Sequence, residues 1–284
     1  MNELISIIIP TYNQEKFLER CLKSISEQTY KNFEILVIDN SSTDNTKSII
    51  KKFSHLPLKY LLNENKGMIA QSRNIGIKQS NGSIIAFIDS DDYWNTEKLD
   101  KCYKKIVQGY DFVFHSLKTR GDKKLKGRLL TKPFFKDLII NGNMISNSSV
   151  VVRKELLFKV NLINESKKMK ASEDYNTWIK ILRETEKFFY INDSLGYYEY
   201  NSGGVSRKNM SYCTLSAIKE FIYLLNNKEK KYAMSRIFYM SAKYNFEKKK
   251  YNYCYKKFKL ALKFGKIKIK LKSIYFLLIL FIKR

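Results

Sequence analysis

The sequence contains little proline, glycine, histidine and cysteine for its length. Of its 284 residues, three are proline, 11 are glycine, two are histidine and four are cysteine. So few prolines and glycines exclude a collagen-like or proline-rich chain. The cysteines form no C-x-x-C pair, and Cys21 and Cys102 fall on apolar positions of helical patterns. These thiols are therefore predicted to be free and buried rather than metal ligands.

Long apolar runs are also missing. The longest is the nine-residue run from Ile274 to Ile282, whereas a spanning helix needs about 20 apolar residues. Near the start of the chain, Glu3 is acidic where a signal peptide carries basic residues, and the apolar run that follows is short. We therefore expect a cytoplasmic protein that does not cross the membrane.

Neither of the common glycine-rich phosphate loops is present. The sequence has no G-x-G-x-x-G and no G-K-[ST] segment, so dinucleotide-binding and P-loop proteins lack support. With 44% hydrophobic and 28% charged residues, the chain is nevertheless able to bury a sizeable core and is not globally disordered.

Acidic residues are scarce only in the later part of the chain. The formal net charge is +26, from 53 Lys and Arg against 27 Asp and Glu. Residues 1–100 carry a net charge of −1, whereas residues 206–284 carry +18 with only three acids. This asymmetry indicates an N-terminal chemical unit followed by a C-terminal region that meets a negative surface.

The first 115 residues alternate short apolar runs with amphipathic stretches. Leu4–Ile9 and Phe33–Ile38 are apolar runs, each interrupted by a single polar residue, as expected of parallel strands buried on both faces. Further strands are predicted at 58–62, 84–88 and 112–114, with helices around 18–25 and 99–107. The alternation predicts an α/β fold with a mostly parallel, Rossmann-like sheet, whose ligands bind at the carboxyl ends of the strands.

The pattern is less regular after residue 115. Residues 116–132 are basic and poor in apolar groups, which predicts a surface loop. The segments that follow are predicted as a helix at 133–140, a strand at 144–152, a helix at 172–182, and helices from about 212 to the end.

Three acids end the strand predicted at 84–88. Strand alternation places Asp89 and Asp91 on one side, about 6–7 Å apart along an extended chain. Crowded carboxylates favour a bound cation, but Asp91 or Asp92 in this segment can equally cap a helix that begins near Thr96.

Other polar groups follow the strands at the same predicted edge. Asp39 ends the second strand and can accept a hydrogen bond from a base or a ribose, while residues 41–44 can cap the next helix. Thr11, Tyr12 and Asn13 follow the first strand. In the segment from Asn65 and Gly67 onward, Arg73 can meet a ligand or pair with Asp39 or Asp89; turns and caps are the alternative for each group.

Two further acids, Glu173 and Asp174, open a predicted helix. Their negative charge suits the positive end of the helix dipole, which is a purely structural explanation. A carboxylate at the edge of a pocket can instead act as a general base and take a proton from a hydroxyl group.

Taken together and in order, these segments resemble the family-2 glycosyltransferases, which use nucleotide-sugar donors on a GT-A fold. The resemblance covers about residues 1–205. It lies in the opening strand and turn at 4–13, the second strand with its acidic end at 34–44, the Asn65-Lys66-Gly67 segment with Ala70, Arg73, Asn74 and Gly76, the D-x-D segment at 89–92, and Glu173-Asp174-Tyr175 with Trp178.

The resemblance implies a role for each of the candidate residues. Asp39 would accept from the uracil ring, Arg73 would flank the base, and Asp89 would contact the ribose or the donor sugar. Asp91 would ligate Mn²⁺ or Mg²⁺ on the diphosphate. Asp174, with its neighbour Glu173 as second choice, would deprotonate the acceptor hydroxyl, so that the anomeric configuration inverts. The remaining donor-binding residues implied are Thr11, Tyr12, Asn13, Asn65 and Gly67.

One segment departs from the family pattern. Many relatives carry a Tyr-Arg-x-His-like segment and a Ser-rich turn after the acidic motif, whereas residues 198–206 contain neither Arg nor His. Arg207 or Lys208 can supply the missing charge. His55 and His115 fall outside the motifs, and structural roles are expected for both.

The C-terminal region interleaves Lys with Tyr and Phe. A basic stretch, residues 266–273, adjoins the apolar run 274–282, a combination that suits an anionic bilayer surface. A solvated helical face with a core-packing tail is the alternative; nucleic acid is disfavoured because no binding motif is present. We expect a glycosyltransferase domain at 1–210, with a nucleotide-binding half at 1–115 and an acceptor half at 116–210, and a basic helical region at 211–284.

The expected function is therefore a cytoplasmic enzyme at the inner face of the membrane. It would transfer sugar from a nucleotide-sugar donor, UDP-linked by the resemblance, to a glycan or lipid-linked glycan in surface polysaccharide synthesis. Two alternatives stay open: a non-catalytic nucleotide- or polyanion-binding relative, and a retaining or phosphate-transferring enzyme on the same sheet.

Overall fold

The structure is a computed structural model that describes residues 2–64, 67–119, 123–200 and 209–282. The chain divides into two compact units that alternate along the sequence. Unit 1 contains Met1–Leu129, Met144–Glu165 and Lys180–Asn201, and unit 2 contains Leu130–Asn143, Ser166–Ile179 and Ser202–Arg284. The division at residue 210 stays a prediction, as does the split at 115.

Unit 1 is built on a mixed sheet with strand order β3-β2-β1-β4-β8-β6-β9-β5, and β7 pairs with β6. The pairs among β1 to β4 are parallel, β6 is parallel to β9, and the other pairs are antiparallel. The predicted α/β class is confirmed. The strands are β1 (Ile5–Thr11), β2 (Phe33–Asp39), β3 (Leu58–Leu62), β4 (Ile84–Phe87), β5 (Tyr93–Trp94), β6 (Phe112–Thr119), β7 (Lys123–Leu125), β8 (Val151–Arg153) and β9 (Phe188–Tyr197).

Most helices of unit 1 bury apolar side chains on one side, whereas helix 69–79 buries several polar ones. The first of them buries Leu18, Cys21, Leu22 and Ile25, the face that its sequence periodicity predicts. Cys21 and Cys102 are free and buried, as expected. The helices are α1 (Glu15–Ser26), α2 (Thr46–Lys52), α3 (Ile69–Gln79), α4 (Lys98–Val107) and α6 (Lys154–Lys159).

Two predicted segments differ from the structure. The predicted loop at 116–132 is wrong in its first part, because β6 continues to Thr119 and pairs with β7 in the register Leu117↔Leu125. The predicted strand at 144–152 is also wrong over most of its length. Asn147–Ser149 form a 3₁₀ turn, whose polar side chains need local hydrogen bonds, and strand β8 begins only at Val151.

Unit 2 is helical, and α7 (Glu173–Glu184) contributes its first half to it. Its last three helices share a core around Phe258 and Leu280. No helix in the described ranges combines the length and the apolar character that crossing a membrane requires. The remaining helices are α5 (Phe134–Asn141), α8 (Met210–Lys219), α9 (Asn227–Glu247), α10 (Tyr251–Phe264) and α11 (Ile267–Ile282).

Lys98 is a fully buried lysine in unit 1. Its Nζ lies 3.5 Å from the centroid of the Trp94 ring, and it has no hydrogen-bond partner among the described residues. Burial lowers the pKa of Lys98 from 10.5 to about 7, although nearby Cys102 acts in the opposite direction. The same interior contains His115, whose pKa burial lowers to about 3. His115 is 2% exposed, in keeping with a structural role.

We expect Lys98→Met to stabilise the protein at pH 7. In the unfolded chain Lys98 stays protonated up to about pH 10.5. Below pH 7, folding therefore carries the full free-energy cost of burying the Lys98 charge. This cost decreases as the pH rises from 7 to 10.5. The penalty is about 4 kcal/mol at pH 7, and losing the Trp94 contact costs about 2 kcal/mol. The net gain in unfolding free energy is therefore about 2 kcal/mol.

Urea denaturation followed by circular dichroism between pH 7 and 10 measures this effect. The unfolding free energy of the wild type should rise with pH in this window relative to that of Lys98→Met. Lys104→Met is the matched control, because Lys104 is on the same helix and its side chain is 68% exposed. A Lys98→Met protein less stable than the wild type at pH 7 would contradict the prediction.

Candidate active site

The carboxyl ends of three adjacent strands place the candidate donor-binding residues at one edge of the sheet. Thr11 is opposite Asp39 in the β1–β2 register, and Phe87, two residues before Asp89, is opposite Ile8. Thr11 and Asp39 are buried, whereas Tyr12 is 52% exposed. The structure thus brings these groups together where ligands bind to parallel sheets.

Hydrogen bonds orient the Asp39 carboxylate. Its Oδ1 accepts from the backbone N–H of Ser42 at 3.1 Å and from the Ser42 hydroxyl at 2.6 Å. Its Oδ2 accepts from the hydroxyl of Tyr60 at 2.8 Å. Burial and this bond to Asp39 raise the pKa of Tyr60 to about 12, so the hydroxyl stays a donor. That Asp39 accepts a hydrogen bond from a base stays a prediction.

Asn13 connects the turn after β1 to the turn after β2. The side-chain oxygen of Asn13 accepts from the backbone N–H of Thr43 at 2.8 Å. The backbone N–H of Asn13 donates to the Ser42 hydroxyl at 2.9 Å. The backbone φ of Asn13 is +50°, a conformation that asparagine tolerates better than most residues. Nearby, Asp44 accepts from the N–H groups of Glu15 and Thr46. Asp44 thus accepts from the first N–H group of two helices, although their N-cap residues make no side-chain capping bond.

Arg73 pairs with Asp89, which is one of the partners that the sequence allowed. The Arg73 Nη2 atom lies 2.7 Å from Asp89 Oδ1, and the arginine is 3% exposed. Asn147 donates to the same oxygen at 3.3 Å, and the Ser148 hydroxyl lies 3.0 Å from the Asp89 backbone N–H, which donates to it. These contacts hold the Asp89 carboxylate, which keeps 34% of its side chain exposed.

Helix α3, which carries Arg73, lies very close to the sheet. A Cβ atom added to Gly76 would come within 2.7 Å of Ile8 and 2.8 Å of Ile38. Asn74 on the same helix donates to the backbone oxygen of Ile163 and to the Glu165 carboxylate, each at 2.8 Å. The motif positions 73, 74 and 76 thus hold the helix and the neighbouring loop in place.

The acidic segment after β4 is a turn, not an extended strand. The N–H of Asp92 donates to the carbonyl of Asp89 at 2.9 Å, so the expectation that strand alternation places Asp89 and Asp91 on one side is wrong. An i to i+3 hydrogen bond of this kind closes a β-turn. The capping alternative also differs from the structure, because α4 begins at Lys98 with Glu97 as a cap that makes no side-chain hydrogen bond.

Asp92 is buried and accepts a hydrogen bond from the segment that follows β9. Its Oδ1 accepts from the N–H of Glu199 at 2.8 Å. Arg20 donates to the Asp91 carbonyl at 2.8 Å and to the Glu199 carboxylate at 2.9 Å, and its guanidinium lies 4.5 Å from the Tyr93 ring centroid. The acidic turn is thereby joined to the segment that precedes residues 201–208.

The acidic turn is a site of concentrated negative charge. Burial, together with the neighbouring charges of Asp91 and Asp89, raises the pKa of Asp92 well above its ordinary value. Burial and the same acids also raise the pKa of Cys21. No group of three or more His, Cys, Asp or Glu side chains arranged for a metal occurs in the described ranges. Asp91 is half-buried in this turn, and one or two carboxylates suffice where a substrate diphosphate completes the coordination of a divalent cation.

The two later acids stand in the first turn of α7. Glu173 is 6% exposed and Asp174 is half-buried. Asp174 Oδ1 accepts from the N–H of Tyr175 at 2.7 Å, and the Tyr175 hydroxyl donates to the carbonyl of Leu138 at 2.7 Å. Packing of Tyr175 and Trp178 fixes this helix start, which is compatible with both predicted roles of the acids.

Several contacts of the site were not predicted from the sequence. Arg20, Tyr60, Asn147 and Ser148 come from elements that have no motif of their own. For Asn147 and Ser148 the sequence did carry a signal of a functional role, namely the polar Asn147-Ser148-Ser149 run inside an otherwise apolar segment. Asn65, Arg207 and Lys208, named from the sequence, lie outside the described residues.

The sheet has the fold of a GT-A glycosyltransferase, and comparison with known proteins agrees. The sequence profile of Glycosyl transferase family 2 matches residues 6–166. Because this match covers more than half of the chain, the chain belongs to glycosyltransferase family 2.

Particular relatives are similar over much of the chain. This chain is 31% identical over 250 residues to the glycosyltransferase GlyA of Streptococcus pneumoniae serotype 4, and the alignment covers 80% of this chain and 35% of GlyA. It is 30% identical over 182 residues to WfgD of Escherichia coli, a UDP-Glc:alpha-D-GlcNAc-diphosphoundecaprenol beta-1,3-glucosyltransferase, covering 64% of this chain and 70% of WfgD. The chain thus spans about a third of the length of GlyA.

The fold also matches a solved structure. Staphylococcus aureus TarS 1–349 in complex with UDP superimposes with a TM-score of 0.62 and 26% sequence identity. The match covers 84% of this chain and 70% of the TarS chain. This similarity supports the GT-A fold independently of the sequence motifs.

Proposed function

We propose that this chain is an inverting, metal-dependent transferase that uses a UDP-sugar. The observation that carries the proposal is the group at the carboxyl edge of the sheet: an oriented Asp39 beside Thr11, the Arg73–Asp89 pair and the acidic turn at Asp91. Two relatives support a uridine nucleotide, since WfgD is named for UDP-Glc and TarS was solved with UDP.

In this proposal the nucleoside lies against the first two strands. Asp39 accepts from the ring N–H of uracil, a role that suits a buried carboxylate already aimed by Ser42 and Tyr60. Thr11 and Tyr12 line the same pocket, and Gly67, with a φ of +84°, allows the backbone to turn close to the ligand. Asn13 and Asn65 complete the proposed donor-binding set.

The charged end of the donor lies at β4 and α3. Asp89, held by Arg73, contacts the ribose or the donor sugar, and Arg73 flanks the base. Asp91 would hold Mn²⁺ or Mg²⁺ at the donor diphosphate. When bound, the cation would supply the positive charge that offsets the charge developing on the leaving diphosphate. The concentration of carboxylates in this turn fits a divalent cation.

Asp174 is the proposed general base, with Glu173 as second choice. The acceptor hydroxyl transfers its proton to the carboxylate while its oxygen bonds to the anomeric carbon of the sugar. The bond between that carbon and the diphosphate oxygen breaks at the same time, and the electron pair leaves with UDP. A single in-line displacement of this kind inverts the anomeric configuration.

The proposed acceptor is a hydroxyl of a glycan or lipid-linked glycan in surface polysaccharide synthesis. WfgD, named for a diphosphoundecaprenol acceptor, supports this class. The protein would accordingly work in the cytoplasm, at the inner face of the membrane, attached through its basic C-terminal region.

A thermal-shift panel of UDP-, GDP- and dTDP-sugars with Mn²⁺ tests the donor. We expect a UDP-sugar to raise the Tm by several degrees, since ligand at 100 times its Kd stabilises by about 2.7 kcal/mol. The shift should largely disappear in Asp39→Asn, which keeps the shape of the side chain.

The same donor, incubated with an acceptor, then tests the reaction. We expect release of UDP and, by NMR, a product of inverted anomeric configuration. Retention would overturn the proposed mechanism. Donor binding without any turnover on glycan acceptors would favour a non-catalytic nucleotide-binding protein instead.

A further inference from the structure

One face of helix α11 packs against the other helices of unit 2. Ser273 and Leu280 on this face are fully buried, and Phe276 stacks on Phe258 of α10 with ring centroids 5.0 Å apart. Phe276 also meets Phe246 of α9 edge-on, at 5.0 Å. These contacts fix the rotation of α11 about its own axis, and therefore decide which residues point away from the protein.

The opposite face of α11 is an exposed apolar stripe. Its residues recur at intervals of three and four positions, which places them on one side of a helix. Their exposed fractions run from 42% for Ile274 to 83% for Phe281 and Ile282. The outer stripe consists of Ile267, Leu271, Ile274, Tyr275, Leu278, Phe281 and Ile282.

Lysines border the outer stripe on both sides. At about 100° per residue, Lys268 and Lys272 lie on one flank of Leu271, and Lys270 lies on the other. All three are exposed, and residues 266–282 contain no acid. Lys283 and Arg284, which extend the basic character in the sequence, lie outside the described residues.

We infer that the outer stripe of α11 and its bordering lysines dock this protein on an anionic phospholipid surface, with the helix parallel to the bilayer. The apolar side chains would enter the region between headgroups and acyl chains, and Lys268, Lys270 and Lys272 would reach lipid phosphates on either side. At 16 residues, α11 is about 24 Å long, so the whole helix can lie in that interface.

The arrangement favours a membrane over other partners. A nucleic acid would engage the lysines but leave the large apolar stripe in water. A second copy of the chain would cover the stripe but bring two sets of like charges together. An anionic bilayer satisfies both features, because it offers an apolar interior beneath negative headgroups.

This inference deepens the proposed membrane location and rests on it, but it does not depend on the transfer chemistry. A docked protein would be held next to a lipid-linked acceptor. The thermal shift caused by UDP and Mn²⁺ reports the donor site separately, so failure of docking and failure of donor binding can be told apart.

Sedimentation with sucrose-loaded vesicles tests the surface. We expect the full chain to pellet with phosphatidylglycerol–phosphatidylcholine vesicles and to bind pure phosphatidylcholine at least tenfold more weakly. Two variants divide the contribution: Leu271→Ser/Leu278→Ser removes part of the stripe, and Lys268→Gln/Lys270→Gln/Lys272→Gln removes the charges. Each variant should weaken vesicle binding at least tenfold. The residual binding of Leu271→Ser/Leu278→Ser, which keeps the lysines, should remain strongly salt-dependent, whereas that of the lysine variant should not.

The matched control is Lys248→Gln/Lys249→Gln/Lys250→Gln, which removes the same charge from exposed positions after α9. It should bind nearly as the wild type does. Equal loss in this control, or unchanged binding of both α11 variants, would overturn the inference. A wild-type dimer in sedimentation velocity that dissociates in Leu271→Ser/Leu278→Ser would show that a second copy covers the stripe instead.

Discussion

Asp91→Asn is expected to abolish sugar transfer while leaving the fold intact. The change removes a negative charge from the acidic turn and with it the proposed anchor for the cation on the donor diphosphate. Because Asp91 is only half-buried, its replacement by a residue of the same shape should alter stability little. UDP release measured with Mn²⁺ should fall to background, and the Mn²⁺-dependent binding of UDP should weaken sharply.

Removal of the metal gives an independent arm of the same test. Excess EDTA should stop the wild-type enzyme, and added Mn²⁺ or Mg²⁺ should restore it. Asp193→Asn is a suitable control, since Asp193 is an acid outside the acidic turn and its side chain is 61% exposed. Undiminished turnover in excess EDTA would refute a role for Asp91 in holding a cation.

Asp174→Asn should lower the turnover rate by about 10² to 10⁴, the range typical of a lost general base. Donor affinity should persist, because the proposed proton transfer involves the acceptor hydroxyl and not the nucleotide. Initial rates at saturating donor and acceptor measure the first effect, and the thermal shift with UDP and Mn²⁺ measures the second.

Glu173→Gln separates the two acids at the start of α7. Glu173 is 6% exposed, so its loss should affect stability more than Asp174→Asn does, with a smaller effect on rate. A large rate loss in Glu173→Gln together with a near-normal Asp174→Asn would assign the base to Glu173. Weak donor binding with near-normal turnover at saturation in Asp174→Asn would mean that Asp174 positions the donor.

The strands around the candidate site were predictable because a strand buried on both faces consists mostly of consecutive apolar residues. The seven residues of β1 are all buried, and six of the seven in β2 are, which favours a mostly apolar run of residues. β6 was shortened in the prediction because its far end, after Phe114, contains His115 and Ser116. Both are buried, and that burial depends on pairing with β9, where they lie opposite Ile191 and Ser194.

The acidic segment shows a different limit. That Asp89, Asp91 and Asp92 follow a strand was evident, and their meeting with Asp39 follows from parallel topology. The turn at Asp89 and the burial of Asp92 were not evident, because they depend on contacts with Ser148 and Glu199. These partners are 59 and 107 residues away in sequence, so no local pattern encodes them.

The sequence by itself determined the family, the α/β class, the parallel strands and the order of the acidic and basic motifs, because each depends on neighbouring residues or on composition. Only the tertiary structure decided that Arg73 pairs with Asp89 and that Asp92, the last residue of the acidic turn, is buried. It also decided which side of α11 faces outward. Residues 274–282 of that helix are all apolar, so their periodicity does not select a face; the packing of Phe276 against Phe258 does.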